Sequence, residues 1–229
     1  MNRQIYYHFL SSKHAIDDLE NKWINISLIE ELNDPFELLP YLRYKEVEKR
    51  KLYHNIRREV SKNYGLLCFS RTWNEPLLWG HYADKHKGIA IGFEVLEDEV
   101  FEVKYSPEPK RTKFELTENQ KENEKLFLDL AKTKYEKWSY EEEHRILVKI
   151  KDCKPVCIGG RKYSFLKFRG RLQVKEIVLG CKFDYKQEQS RMSILAEKLN
   201  AKIVLTREGW EDYKIHQCGT KTKKFGIFQ

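Results

Sequence analysis

The chain has 229 residues, 41% hydrophobic and 13% aromatic, enough for one sizeable core. Its 43 Lys and Arg against 35 Asp and Glu give a formal net charge of +8, which suits a polyanion, a phosphate-bearing cofactor or plain solubility. Met1-Asn2-Arg3-Gln4-Ile5 opens no secretory signal, no apolar run is long enough for a bilayer, and five scattered cysteines make no disulfide or zinc framework, so a cytoplasmic protein is expected.

In chain order, 5–10 reads as a strand whose end carries His8, 13–20 as a short helix and 23–27 as a strand ending in Ser27. Asn33-Asp34-Pro35-Phe36-Glu37 is a turn sequence, and 41–62 a charged helix. A strand over 66–70, ending in Ser70, delivers Arg71 and then a helix. Asn74 is its expected N-cap, Pro76 suits its first turn, and Gly88 suits C′, where φ > 0 is wanted. On that helix Leu78, Trp79, Tyr82, Ala83 and His86 share one side. Strands follow at 89–95 and 101–105, then Pro107 and Pro109, and a long polar helix over 117–137. Residues 141–148 form a strand with an acidic entrance, and 153–168 a basic region with strand-like pieces. The end reads strand 174–179, helix 187–199, strand 201–205 and strand 210–216. This mixture is α+β, one domain over 1–217 with a basic tail over 218–229, and it has no Gly-rich phosphate loop.

Two Trp, two His, a Tyr, an Arg and a Ser within 69–88 read as one wall of a small-molecule pocket, or as an amphipathic helix with aromatic core contacts. Glu141-x-Glu143-x-Arg145 puts three charged side chains on one face of a strand, costly unless they meet a ligand or partners. Trp138 and Tyr140 add surface suited to stacking on a flat ring. Arg71 suits a phosphate or an acid. His8 alone is more often a hydrogen-bonded structural residue. Lys162, Arg169 and Arg171, interleaved with Tyr163, Phe165 and Phe168, suit a DNA or RNA groove or an ordinary solvated strand face.

NDPFE, FSR followed by LLWGHYADKHKGIAIGF, and WSYEEEHRI together resemble the bacterial domain of unknown function 2971, in order from Tyr6 to about Tyr213. The order of a strand-end His, a Tyr on a strand–helix unit and a late Glu is also similar to the ADP-ribosyltransferase superfamily. That resemblance implies a mixed, split β-sheet core with peripheral helices and NAD as substrate. It implies His8, Tyr82 and Glu143 as the catalytic set, with Glu141 as the first acid of an E-x-E pair. Glu143 would stabilise the oxocarbenium-like transition state, Tyr82 would stack on nicotinamide, His8 would meet the adenosine ribose and Arg71 the pyrophosphate. Ser27, Ser70, Trp79, His86 and Arg145 complete the expected NAD-binding set. The implied activity is ADP-ribosyl transfer or NAD hydrolysis, in a toxin or phage-defence effector. Two other readings stay open. One is a metal-dependent nuclease with Asp34, Glu37, Glu141 and Glu143 holding Mg²⁺ and His81 or His86 as base. The other is a non-enzymatic nucleic-acid-binding module.

Overall fold

The computed structural model describes residues 2–40, 42, 46–109, 119–168 and 170–219. In chain order the strands and α-helices are β1 (Arg3–Leu10), α1 (Ser12–Asn21), β2 (Trp23–Asn25), β3 (Ser27–Leu28), α2 (Val47–Asn63), β4 (Tyr64–Ser70) and α3 (Pro76–Tyr82). Then come β5 (Ile89–Leu96), β6 (Phe101–Glu102), β7 (Lys104–Ser106), α4 (Gln120–Ala131), β8 (Thr133–Tyr135) and β9 (Glu143–Lys149). The last are β10 (Lys154–Ile158), β11 (Arg161–Lys167), β12 (Gln173–Leu179), α5 (Tyr185–Leu199), β13 (Lys202–Glu208) and β14 (Ile215–Gln217).

The main sheet has nine strands in the order β14-β13-β12-β5-β1-β4-β9-β6, with β3 also on β4. It is mixed, because β12 and β13 run parallel while the other pairs are antiparallel. β1 pairs β5 from Arg3↔Leu96 to Leu10↔Ile89, but it pairs β4 only at Tyr7↔Ser70. The sheet therefore parts along a seam between β1 and β4. Backbone register across the seam is this one pair; His8 adds a hydrogen bond, its Nδ1–H donating to the Cys68 carbonyl at 2.7 Å, and Tyr6 packs across it on Phe69 and His144.

One face of the sheet is covered by α1 and α5. Ala15, Ile16, Leu19, Met192 and Leu195 pack there on Ile91, Phe93, Ile177 and Leu179. The opposite face carries two separate clusters. Leu78 and Trp79 of α3 lie over Phe9, Ala90, Val178 and Val204. Tyr53, Val60, Phe127 and Leu130 of α2 and α4 lie over Leu66. The space between those clusters is the mouth of the seam. This mixed α+β single domain agrees with the expected class.

Several elements differ from expectation. The 23–27 strand is two strands, because Ile26 turns aside to donate to the Ser164 carbonyl; β2 then joins β11 and β3 joins β4. The 101–105 strand is also two, β6 and β7. The long polar helix ends at Ala131 (117 and 118 lie outside the described residues), and Thr133–Tyr135 becomes β8, parallel to β7. Burial of the Lys134 side chain among carboxylates outweighs continued helix. The central helix stops at Tyr82, and Asp84, Lys85 and His86 all take left-handed backbone, with φ of 45°, 53° and 71°. Glu75, not Asn74, caps it by accepting from the Leu77 N–H. Gly88 is required by space and not by φ: a Cβ there would meet the Leu10 carbonyl oxygen at 2.1 Å. The basic region is the hairpin β10–β11, turned by Gly159 and Gly160 at φ 58° and 81°. The final strand is only Ile215–Gln217, and Trp210, at 89% exposure, lies in the loop before it. Residues 41, 43–45 and 220–229 lie outside the described residues, while Cys218 is buried in the core.

Candidate active site

The seam opens into a cleft of about 210 Å³. His8, Ser27, Ser70, Tyr82, Glu141 and Glu143 all line it, together with Asn33, Glu37 and Lys134. β1 supplies His8, α3 supplies Tyr82, the 3-10 turn Glu136–Glu141 supplies Glu141, and β9 opens with Glu143. Sites enclosing a drug-sized ligand hold ~300–1,000 Å³, so this cleft is smaller than such a site.

Its chemistry centres on three carboxylates and two cations. Lys134 Nζ lies 2.5 Å from Glu141 Oε2, 3.0 Å from Glu143 Oε2 and 3.2 Å from Glu37 Oε1. Arg145 grips Glu143 with Nε–Oε1 at 2.7 Å and Nη2–Oε2 at 2.9 Å, reaches Glu37 Oε2 at 2.6 Å, and donates to the Ala131 carbonyl at 3.0 Å. Tyr82 O–H donates to Glu141 Oε1 at 2.7 Å and accepts from Asn33 Nδ2 at 3.0 Å. The Glu143 backbone N–H donates to the Tyr105 hydroxyl at 2.8 Å.

Electrostatics split the two acids of the pair. Burial alone would raise Glu143, but the charge and hydrogen bonds of Arg145, with Lys134 behind them, pull it down to about 2. Glu141 goes the other way. Burial pushes it up, the Glu143 charge adds to that, and Lys134 and Tyr82 offset only part. Burial and the Glu141 charge raise Tyr82. Burial lowers Lys134, yet the charges of Glu143, Glu37 and Glu141 outweigh it and keep the ammonium protonated. Burial also lowers His8, against the Cys68 carbonyl, so its ring is neutral near pH 7 with Nε2 left as an acceptor.

Residues 78–146 match the family described as Protein of unknown function (DUF2971). The matched segment covers less than a third of the chain. It runs from α3 into β9, so it contains Tyr82, Lys134, Glu141, Glu143 and Arg145, but not His8 or Glu37. The family description attaches no activity. No curated protein and no solved structure matches the chain.

Within the DUF2971 segment the expected residues divide into two groups. Tyr82, Glu141 and Glu143 reach the cleft. Trp79 and His86 do not. Trp79 is fully buried, edge-on to Phe9 at 5.1 Å, with its indole N–H on the Trp73 carbonyl at 2.7 Å; it is a core residue. His86 sits on the left-handed turn beyond α3 and does not line the cleft. Arg145 lies behind Glu143 at 0% exposure and is spent on carboxylates. Arg71, outside the segment, is exposed at the turn after β4 and does not line the cleft. Glu141 lies in a 3-10 turn before the strand, with Glu142 left-handed at φ 42° between it and Glu143, so the pair converges by a kink and not by strand alternation.

For the nuclease reading, no group of three or more His, Cys, Asp and Glu among the described residues is arranged to hold a metal. Lys134 occupies the point a cation would take among Glu37, Glu141 and Glu143, and Asp34 is engaged in its own turn, accepting from the Phe36 N–H at 2.9 Å. His81 is exposed and packs with Trp138 and Tyr140, ring centroids 6.1 and 6.4 Å away. In the basic region Phe165 packs on Trp23 and Phe168 on Phe93, so those rings point inward instead of forming a stacking platform. Arg171 pairs with Glu99 at 2.9 Å, Lys162 is exposed, and Arg169 lies outside the described residues. Among the described residues no helix is long and apolar enough to cross a membrane.

Sequence reasoning missed Lys134 and Asn33. A signal for Lys134 existed: three consecutive glutamates entering a buried strand need more than the one cation, Arg145, that follows them.

Proposed function

We propose that the chain cleaves the nicotinamide–ribose bond of NAD, in the manner of the ADP-ribosyltransferases, and passes ADP-ribose to water or to a macromolecular nucleophile. The observation that supports this most is one cleft, at a split in the sheet, lined by His8, Tyr82, Glu141 and Glu143. The opposite shifts of its two acids are what such chemistry uses. As the C–N bond breaks, its electron pair leaves with nicotinamide and positive charge grows on the ribose. Glu143, ionised at any working pH, supplies the fixed negative charge that stabilises it. Glu141, raised above its ordinary range, takes the proton of the incoming nucleophile when ionised, with Tyr82 fixing its orientation. His8 offers Nε2 to a sugar hydroxyl. The basic surface favours nucleic acid as acceptor.

A second reading is a binding cleft without catalysis. It is favoured by the commitment of both Glu143 oxygens to Arg145 and Lys134 at 5% exposure. Nicotinamide release from NAD, measured with and without EDTA, DNA and RNA, separates the readings. The proposal expects release that EDTA leaves intact and that the true acceptor stimulates. EDTA-sensitive cutting of nucleic acid without release would move the assignment to a nuclease, and ligand binding without either would favour the binding cleft.

A further inference from the structure

We propose that Lys134 is a positioning residue of this cleft, which acts through Glu141 and Glu143 by gathering both carboxylates on one ammonium and supplying the counter-charge they need. Its kinetic consequence rests on the NAD-cleaving reading; its electrostatic consequence rests on geometry alone. Lys134 sits on β8, next to the end of α4, and its side chain is 3% exposed. Its ammonium gathers three carboxylates from three elements: it donates to Glu141 from the 3-10 turn and to Glu143 from β9, and pairs in charge with Glu37 from the turn before α2 at 3.2 Å. The two cations are not interchangeable. Arg145 serves Glu37 and Glu143, whereas Lys134 is the cation paired with Glu141 among the described residues.

The other groups facing Glu141 are Tyr82 from α3, Glu143 from β9, Tyr105 from β7 and Tyr140 from its own turn. None of them brings positive charge. Trp138 covers the ammonium at 4.9 Å and shields it on that side. Removing Lys134 therefore leaves Glu141 with a neutral hydroxyl donor and a neighbouring carboxylate, and the carboxylate form loses its support.

The test is a carbon-13 titration of the Glu141 carboxyl in the full chain, assigned with Glu141→Gln, for wild type, Lys134→Met and Lys134→Arg. Lys134→Met is expected to raise the Glu141 midpoint by about one unit or more, a tenfold loss of ionised Glu141 at a pH below it. Lys134→Arg is expected to recover part of that shift, because its planar fork keeps the charge but cannot present three donors from one atom. The acidic limb of kcat for nicotinamide release should move with the midpoint while KM holds, which a purely structural ion pair would not produce. An unchanged midpoint in folded Lys134→Met overturns the proposal. If that variant does not fold, Lys134→Arg decides: a shifted midpoint upholds the proposal and an unshifted one overturns it. A wild-type chain that releases no nicotinamide overturns the NAD reading and leaves the titration result to judge Lys134 by itself.

Discussion

Glu143 and Asp18 are both buried carboxyls, and their environments give them opposite effects on stability. Arg145 and Lys134 hold Glu143 at about 2, below its ordinary 4.5. Folding then binds fewer protons than the unfolded chain between those values, so this contribution is full above pH 4.5 and is lost as pH falls toward 2. Glu143→Gln removes a partner of buried Arg145 and should cost ~3–5 kcal/mol at pH 7, with a flatter acid limb than wild type in urea unfolding. That loss is a large share of the ~5–15 kcal/mol a domain holds, so folding of the variant is checked at the assay pH. Asp18 is raised by burial, and by the charge of Asp17, from 3.8 to about 8. The folded chain keeps that proton where the unfolded chain has lost it, so stability falls as pH rises between 3.8 and 8. Asp18→Asn mimics the protonated form and should exceed wild type by ~1–3 kcal/mol at pH 8, and by much less at pH 4. At this scale the sequence made Glu141, Glu143 and Arg145 visible, because a polar triplet at the start of an apolar strand demands partners. It concealed Lys134, whose neighbours Lys132 and Lys137 carry the same charge on the surface.

α3 and the turn behind it set one wall of the cleft. Pro76 and the apolar Leu78 and Trp79 were enough to place the helix, and the 3.6-residue wheel correctly set Leu78, Trp79, Tyr82 and Ala83 inward. Its end was not legible. Nothing local in Asp84-Lys85-His86 announces three left-handed residues; they are imposed where the chain passes Gly180 and hands its backbone to β12's end through Gly180 N–H to Gly88 O at 3.0 Å. Trp79 packs in the core behind Tyr82 and does not line the cleft. Trp79→Ala should cost ~3–5 kcal/mol by chemical denaturation. Gly88→Ala drives a Cβ against the backbone of Leu10 and Ala83, which no rotamer relieves, and should cost ~1–3 kcal/mol while raising KM through the shifted Tyr82 wall. Unaltered stability in that variant would mean the turn is looser than its contacts imply.

Across the whole molecule, most element types were readable from alternation and turn residues, β8 excepted, but strand order was not. The neighbours β1 and β5, or β12 and β5, are set by packing between distant segments, and the seam exists because β1 and β4 share one register pair. The charge surplus acts at this scale too. Stimulation of the proposed reaction by nucleic acid should fall steeply with salt, as phosphate contacts do, whereas turnover without acceptor should change little.

The most direct measurement is kcat for nicotinamide release from NAD by wild type and by Glu143→Gln, with both shown folded at the assay pH. The account predicts a loss on the order of a hundredfold or more in kcat with little change in KM, because the fixed carboxylate acts on the transition state. Equal turnover by the two proteins would contradict it and would leave the buried ion cluster as a clamp on the seam alone.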